Sequence, residues 1–325
     1  MKFISAVLLK TILSIILIFG IASLSNGQQI GSQTIDQAGY YNLKIGDIDV
    51  TVLSDGTLPL NMSKLLFNAH PGEIDSLFKE NFQKPTDETS VNAYLIRTSG
   101  KLILIDAGCG DLMGNTAGKL LKSLANAGLK PSQIDAVLVT HMHPDHIGGL
   151  VKNGKMTFPN ATIYFAKVEG AFWLSDVNRE NAPSSFKPFF EDAQNAVKPY
   201  SELKKVRSVD FGTEIFPGIT AIASTGHTAG HTSYKIESNG NKLIILGDLI
   251  HSGAVQFADP GITIHFDADA VAAAKSRRQL FNEAATGKFI IAGSHLSFPG
   301  LGRLKAEGAG YVWVPVNFST FAAKN

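Results

Sequence analysis

The sequence predicts an α/β protein made of two packed β-sheets with helices on their outer faces. Strand-like apolar runs occur in both halves of the chain, each half closes on a helix-like segment, and histidine and aspartate motifs follow the apolar runs directly. Open α/β architectures place their sites at the carboxyl ends of strands, so those motifs mark where chemistry is expected. With 325 residues, 44% hydrophobic and 18% charged, the chain has the size and composition of one large globular domain.

From the N-terminus, Met1-Lys2 opens an apolar stretch interrupted only by Lys10, densest from Ile12 to Leu24. That is short for a membrane span and reads as a secretory signal over residues 1–27, with Ser25 and Gly27 at suitable offsets for cleavage before Gln28. An uncleaved N-terminal anchor is the alternative. The expected mature domain is 28–325, periplasmic or secreted, with no stable membrane anchor after cleavage and a flexible lead-in from Gln28 to Gln37. Losing Lys2 and Lys10 leaves 27 basic against 28 acidic residues, a formal charge of −1. That balance gives no basic track for phosphates, so nucleic acid is not an expected partner. Cys109 is the only cysteine and rules out an intramolecular disulfide; between Gly108 and Gly110 it reads as a small packed side chain.

Tyr41 to Ile45 and Ile48 to Leu53 flank Gly46-Asp47 as a hairpin, and Val91 to Arg97 with Leu102 to Ile105 form a second. Ala117 to Ala127 has helical spacing through Leu120, Leu121 and Leu124 and stops at Gly128. The aromatic middle from Val168 to Tyr200 is punctuated by Pro183, Pro188 and Pro199 and predicts short helices and loops. Beyond it, Ile219 to Ala223, Ser233 to Ile236, Lys242 to Leu246, Phe289 to Ala292 and Tyr311 to Val314 read as strands, and Ala268 to Ala285 as a helix.

The richest motif follows the buried run Ala136 to Val139. Residues 141 to 146 read His-Met-His-Pro-Asp-His, which places three of nine histidines within six residues. Residues two apart on a strand share a face, so His141 and His143 point into one space while Asp145 and His146 follow in the turn. Imidazole suits Zn, Mn, Fe or Co, and a mixed imidazole and carboxylate set predicts two divalent ions, zinc first. Further candidates also end strands: His227 and His231 in Gly-His-Thr-Ala-Gly-His, Asp248 after Leu-Ile-Ile-Leu-Gly, and His295 after Phe-Ile-Ile-Ala-Gly-Ser. Spacing alone does not rank His227 over His231. Asp106 after Leu-Ile-Leu-Ile either orients a ligand histidine or caps its turn. His70 and His265 read as surface residues, and His251 has no strand-end context.

His-Met-His-Pro-Asp-His, Gly-His-Thr-Ala-Gly-His, Leu-Gly-Asp-Leu and Gly-Ser-His-Leu-Ser-Phe-Pro-Gly, in that order from residue 141 to 300, resemble the metallo-β-lactamase-fold hydrolases. The resemblance implies an αββα four-layer sandwich of two mixed sheets. It also implies His141, His143 and His227 on one metal, Asp145, His146 and His295 on the second, Asp248 bridging both, and His231 as structural support. Ser54-Asp55-Gly56-Thr57, Glu88-Thr89-Ser90-Val91, Phe172-Trp173-Leu174-Ser175, Ala254-Val255-Gln256-Phe257 and Val314-Pro315-Val316-Asn317 are similar to the methyl parathion hydrolase branch across nearly the whole mature chain. Members of the family often pair as homodimers.

Two metals sharing a water supply hydroxide at neutral pH and polarise the electrophile, so no protein nucleophile is required, and Asp248 and Asp145 are the expected catalytic carboxylates. Trp173, Phe189, Phe190 and Phe298 are the candidate substrate-binding residues and suit an aromatic leaving group. The expected substrate is thus a small phosphotriester or ester. A lactone such as an acyl-homoserine lactone is the alternative, although lactonases of this kind usually carry tyrosine where this chain has His251. A class B β-lactamase fits the late His295 less well, and a non-catalytic metal-binding protein would close its coordination shell rather than leave room for water.

Overall fold

The computed structural model describes residues 37–318; the expected leader over 1–27 lies outside them. Two seven-stranded sheets dominate, and in each the strands pair side by side in chain order. The first holds β1 (Tyr40–Ile45), β2 (Ile48–Leu58), β3 (Thr89–Thr98), β4 (Lys101–Ile105), β5 (Ala136–Leu138), β6 (Thr162–Ala166) and β7 (Val206–Val209). The second holds β8 (Glu214–Phe216), β9 (Ile219–Ala223), β10 (Thr232–Ser238), β11 (Asn241–Ile245), β12 (Ile290–Ala292), β13 (Leu301–Glu307) and β14 (Gly310–Pro315). β4 to β7 run parallel, as do β11 and β12, while the remaining neighbours are antiparallel, so both sheets are mixed.

Side-chain alternation explains the sandwich. Ile103, Ile105, Ala136 and Leu138 pack with Ile219, Tyr234, Leu243 and Ile245 between the sheets. Their neighbours Leu102, Leu104, Val137 and Val139 point the other way, into a core under the helices. A strand buried on both faces reads as a continuous apolar run, which is how β4 and β5 read. Helices α2 (Leu120–Asn126), α3 (Lys167–Trp173), α4 (Asp176–Asn181) and α5 (Lys187–Glu202) lie on the side of the first sheet, after the earlier α1 (Glu73–Glu80). Helix α6 (Ala270–Gly287) covers the second through Leu280, Phe281 and Ala284. Helix, sheet, sheet and helix make the four layers. Among the described residues, no helix is long and apolar enough to cross a membrane.

Three local differences from the sequence reading have physical causes. Helix α2 starts at Leu120 rather than Ala117 because Gly118 is left-handed (φ +72°) and the buried Asp55 carboxylate accepts the backbone N–H of Gly118 and Leu120. Helix α5 runs 16 residues through the proline-rich middle. Pro188 lies in its first turn, where no backbone donor is needed, and Pro199 lies in its last. The edge strands β7 and β8 are short and partly exposed, so they carry little apolar periodicity.

Candidate metal centre

Both sheets deliver polar residues to the same end of the sandwich. β5 leads into His141 and His143, the single turn Pro144–Ile147 carries Asp145 and His146, the β9–β10 loop carries His227, and Asp248 and His295 follow β11 and β12. Two ligand groups result: His141, His143, His227 and Asp248, then Asp145, His146, Asp248 and His295, the potential donor atoms of each within 4.8 Å of one another. Asp248 belongs to both. Its Oδ1 lies 3.1 Å from His146 Nε2, and its Oδ2 lies 3.3 Å from His227 Nε2 and 3.1 Å from His295 Nε2.

The outward nitrogens of these rings are tied down, which aims the inward ones. The His146 Nδ1–H donates to Asp106 Oδ2 at 2.8 Å, His227 Nδ1–H to Asp267 Oδ1 at 2.9 Å, and His295 Nδ1–H to the Ser90 carbonyl at 3.0 Å. Asp106 is held in turn by the backbone N–H and hydroxyl of Thr140, and it adopts a left-handed φ of +61° that an aspartate rarely takes. Such outer partners fix the tautomer and raise ligand basicity. His231 is fully buried; its Nε2 accepts the Asp248 N–H at 3.0 Å and its Nδ1 faces the Ser224 carbonyl, so it positions the Asp248 turn.

Divalent cations fit this arrangement on two counts. His141 Nε2, His146 Nε2 and Asp248 Oδ1 are buried without a hydrogen-bond partner, each inside a ligand group. Around the groups, Asp106, Asp145, Asp248, Asp267 and Glu169 are buried or nearly so, and Arg277 is the buried cation beside them. Ionised, they leave four negative charges, which two divalent ions neutralise. Burial alone would raise Asp145 and Asp248, but the imidazoles around them, His146 first, hold both well below the usual carboxylate range. Burial likewise works against charge on His227 and His295, yet Asp248 and its neighbours bring them up to about 9 and about 10. The cluster draws positive charge into itself.

Beside the ligands lies an apolar cavity of about 150 Å³, with Leu58, Leu60, Met113, Phe186, Phe189 and Phe266 as its walls and Asp145, Asp248, His143 and His295 among its polar lining. Of the four predicted substrate residues, only Phe189 lines it. Trp173 is buried and packs edge-on against His143 at 5.5 Å, and Phe190 is buried behind Trp173 at 4.7 Å. Both fill the core under α5 rather than the cavity wall. Phe298 lies outside the cavity, its N–H bonded to Ser90 Oγ. Cys109 is buried with its thiol pushed upward by burial and by Asp55, consistent with packing.

Sequence reasoning missed Asp267 and Glu169 and left the role of His251 open. His251 is buried, lines the cavity, and its Nε2 lies 3.2 Å from Asp248 Oδ2; burial holds it down to about 4, so the ring is neutral. Asp267 follows the apolar run Ile262-Thr263-Ile264 at a short distance, a faint strand-end signal. Glu169 sits inside a helix and left no signal. His70 and His265 are exposed, and His265 also lines the cavity while stacking on Phe67 at 4.5 Å.

The sequence profile of the metallo-beta-lactamase superfamily matches residues 86–295, a span that contains every ligand named above. The chain belongs to the metallo-beta-lactamase superfamily. Among solved superfamily structures, a hydrolase named AbOPH superposes with a TM-score of 0.83 at 33% identity, over 87% of this chain and 99% of that one. AidC, a dizinc quorum-quenching lactonase bound to its homoserine product, gives 0.80 at 31% identity with the same coverage. Sequence relatives include ribonuclease TTHA0252 of Thermus thermophilus, 27% identical over 187 residues, and an N-acyl homoserine lactonase of Bacillus thuringiensis, 24% identical over 172. These alignments take in 54% and 47% of this chain, and they span 38% of the ribonuclease and 60% of the lactonase. The superfamily's shared chemistry makes this protein a metal-dependent hydrolase with a site suited to two ions.

Proposed function

We propose that the protein hydrolyses small uncharged esters bearing an apolar group, with lactones as the leading substrates. The observation that carries this reading is the apolar cavity beside the two ligand groups: it offers no lysine or arginine to a phosphodiester backbone and has aromatic walls for an acyl chain or ring. AidC, the lactonase whose fold spans nearly all of this one, supports a carbon electrophile.

His141, His143 and His227 would hold one divalent ion, Asp145, His146 and His295 the other, and Asp248 both. When bound, two such ions polarise the substrate's oxygen and lower the pKa of a shared water toward neutrality. The chain's own residues do the rest. Phe186, Phe189 and Phe266 exclude bulk water and orient the apolar group. Asp248 Oδ2 lies 3.2 Å from His251 Nε2, so the neutral imidazole orients that carboxylate at the cavity floor. Asp106, Asp267 and Ser90 keep the ligand rings from turning.

Aryl phosphotriesters are the second reading, favoured by the ring-lined walls and by His251 in place of a tyrosine. Comparing kcat/KM for an acyl-homoserine lactone and an aryl phosphotriester, with Asp248→Asn as blank, tests both. A ratio above one supports the lactone, a ratio below one the phosphotriester, and activity no better than the blank on either removes the substrate class.

A further inference from the structure

Glu169 is a fully buried carboxylate in the first turn of α3, far in sequence from every ligand. Such a group persists only when donors compensate it. Its Oε1 accepts the Met142 N–H at 2.8 Å; its Oε2 accepts the Thr228 hydroxyl at 2.7 Å and the Gly230 N–H at 2.9 Å. Met142 lies between His141 and His143, and Thr228 directly follows His227. One carboxylate therefore reaches the two loops that supply all three histidines of the first group, one loop from each sheet, and none of its hydrogen bonds goes to Asp145, His146, Asp248 or His295.

The surroundings are shaped for that contact. A Cβ at Gly230 would fall 2.3 Å from the Glu169 backbone nitrogen, so the loop approaches α3 as closely as only glycine permits. One turn further along the same helix, Trp173 packs against the His143 ring. Across the gap that Glu169 spans, His143 Nδ1 and His227 Nε2 stand 3.0 Å apart.

We propose that Glu169 is a positioning residue for one metal only: it sets the spacing of His141, His143 and His227, and leaves the second ion to Asp106 acting through His146. This rests on the dinuclear reading. It also gives Thr228 and Gly230 of Gly-His-Thr-Ala-Gly-His a purpose, since they supply two of the three donors to Glu169.

The test counts ions rather than turnover. Zinc-loaded protein is titrated with a chromophoric chelator and the ions released per chain are resolved by affinity. Wild type must show two; fewer than two overturns the dinuclear reading whatever Glu169 does. Glu169→Gln cannot accept from all three donors, and it is expected to weaken one ion by about 10- to 100-fold with the other little changed. Asp106→Asn is expected to weaken chiefly the other ion, through His146, with a smaller effect on the first through Thr140 and His141, and the double variant both. Should Glu169→Gln fail to fold, Thr228→Val removes one donor and Thr228→Ser restores it, with a smaller loss of the same ion and its recovery. A folded variant that keeps both ions at wild-type affinity, loses both together, or depletes the same ion as Asp106→Asn overturns the proposal.

Discussion

Asp267→Ala removes one carboxylate that serves three partners, the Ile264 N–H at 3.2 Å from its Oδ2 among them. Its Oδ1 accepts from His227 Nδ1 at 2.9 Å and its Oδ2 lies 3.8 Å from the buried guanidinium of Arg277. At that separation and an effective dielectric of about 20, the Arg277 pairing amounts to about 4 kcal/mol. Arg277 keeps its hydrogen bonds to the carbonyls of Leu249, Pro260 and Ile262, so the expected net loss is about 3 kcal/mol, typical of breaking a buried pair from one side. In metal-free protein that lowers the unfolding temperature by roughly 6–10 °C. His227 is also freed to rotate, which weakens the ion it helps hold by about 10- to 100-fold, or about 1.4–2.7 kcal/mol. Calorimetry on the apo protein and a competitive zinc titration read the two effects separately. A destabilised fold with unchanged zinc affinity would show that Asp267 serves Arg277 and the Ile264 N–H but not the ion. If neither quantity moves, the chain of contacts from His227 to Arg277 carries no energy.

Removing the metals should lower stability, because five carboxylates then share their space with Arg277 and protons alone. At a thousandfold excess over Kd each ion contributes about 4 kcal/mol, so the loaded protein should melt at least about 10 °C above the chelated one; coincident melting curves would contradict a resident metal. Phe189→Ala should raise KM about tenfold for a long-chain or aryl ester with little change in kcat, since it widens the cavity wall and removes only an edge-on ring contact to His143 at 5.8 Å; an equal loss in kcat would assign Phe189 a place in the transition state or in holding His143. Ile103→Ala, between the two sheets, should cost about 3 kcal/mol in a denaturant titration while leaving zinc stoichiometry at wild type. A loss below about 1 kcal/mol would mean the inter-sheet core closes over the gap.

The candidate ligands were legible in the chain because they fall at strand ends or in the turns just after them, where α/β folds keep their sites, and the family resemblance chose His227 over His231. The same alternation that makes β4 and β5 continuous apolar runs announced two buried faces and thus a layered sandwich. Sequence distance hid the rest. Glu169 and Asp267 act across the fold on histidine loops 27 or more positions away, and a buried carboxylate inside a helix reads like any surface glutamate until its donors are known. Trp173 and Phe190 could be named as aromatic but not sorted between cavity and core, since that depends on which face of α3 and α5 meets the first sheet. His251 was marked in the sequence only by resemblance, where related lactonases carry tyrosine, and its contact with Asp248 appeared when the turn after β11 folded it there. Chain order and periodicity thus determined which residues arrive at the site, while packing between the layers alone decided which of the others hold them there.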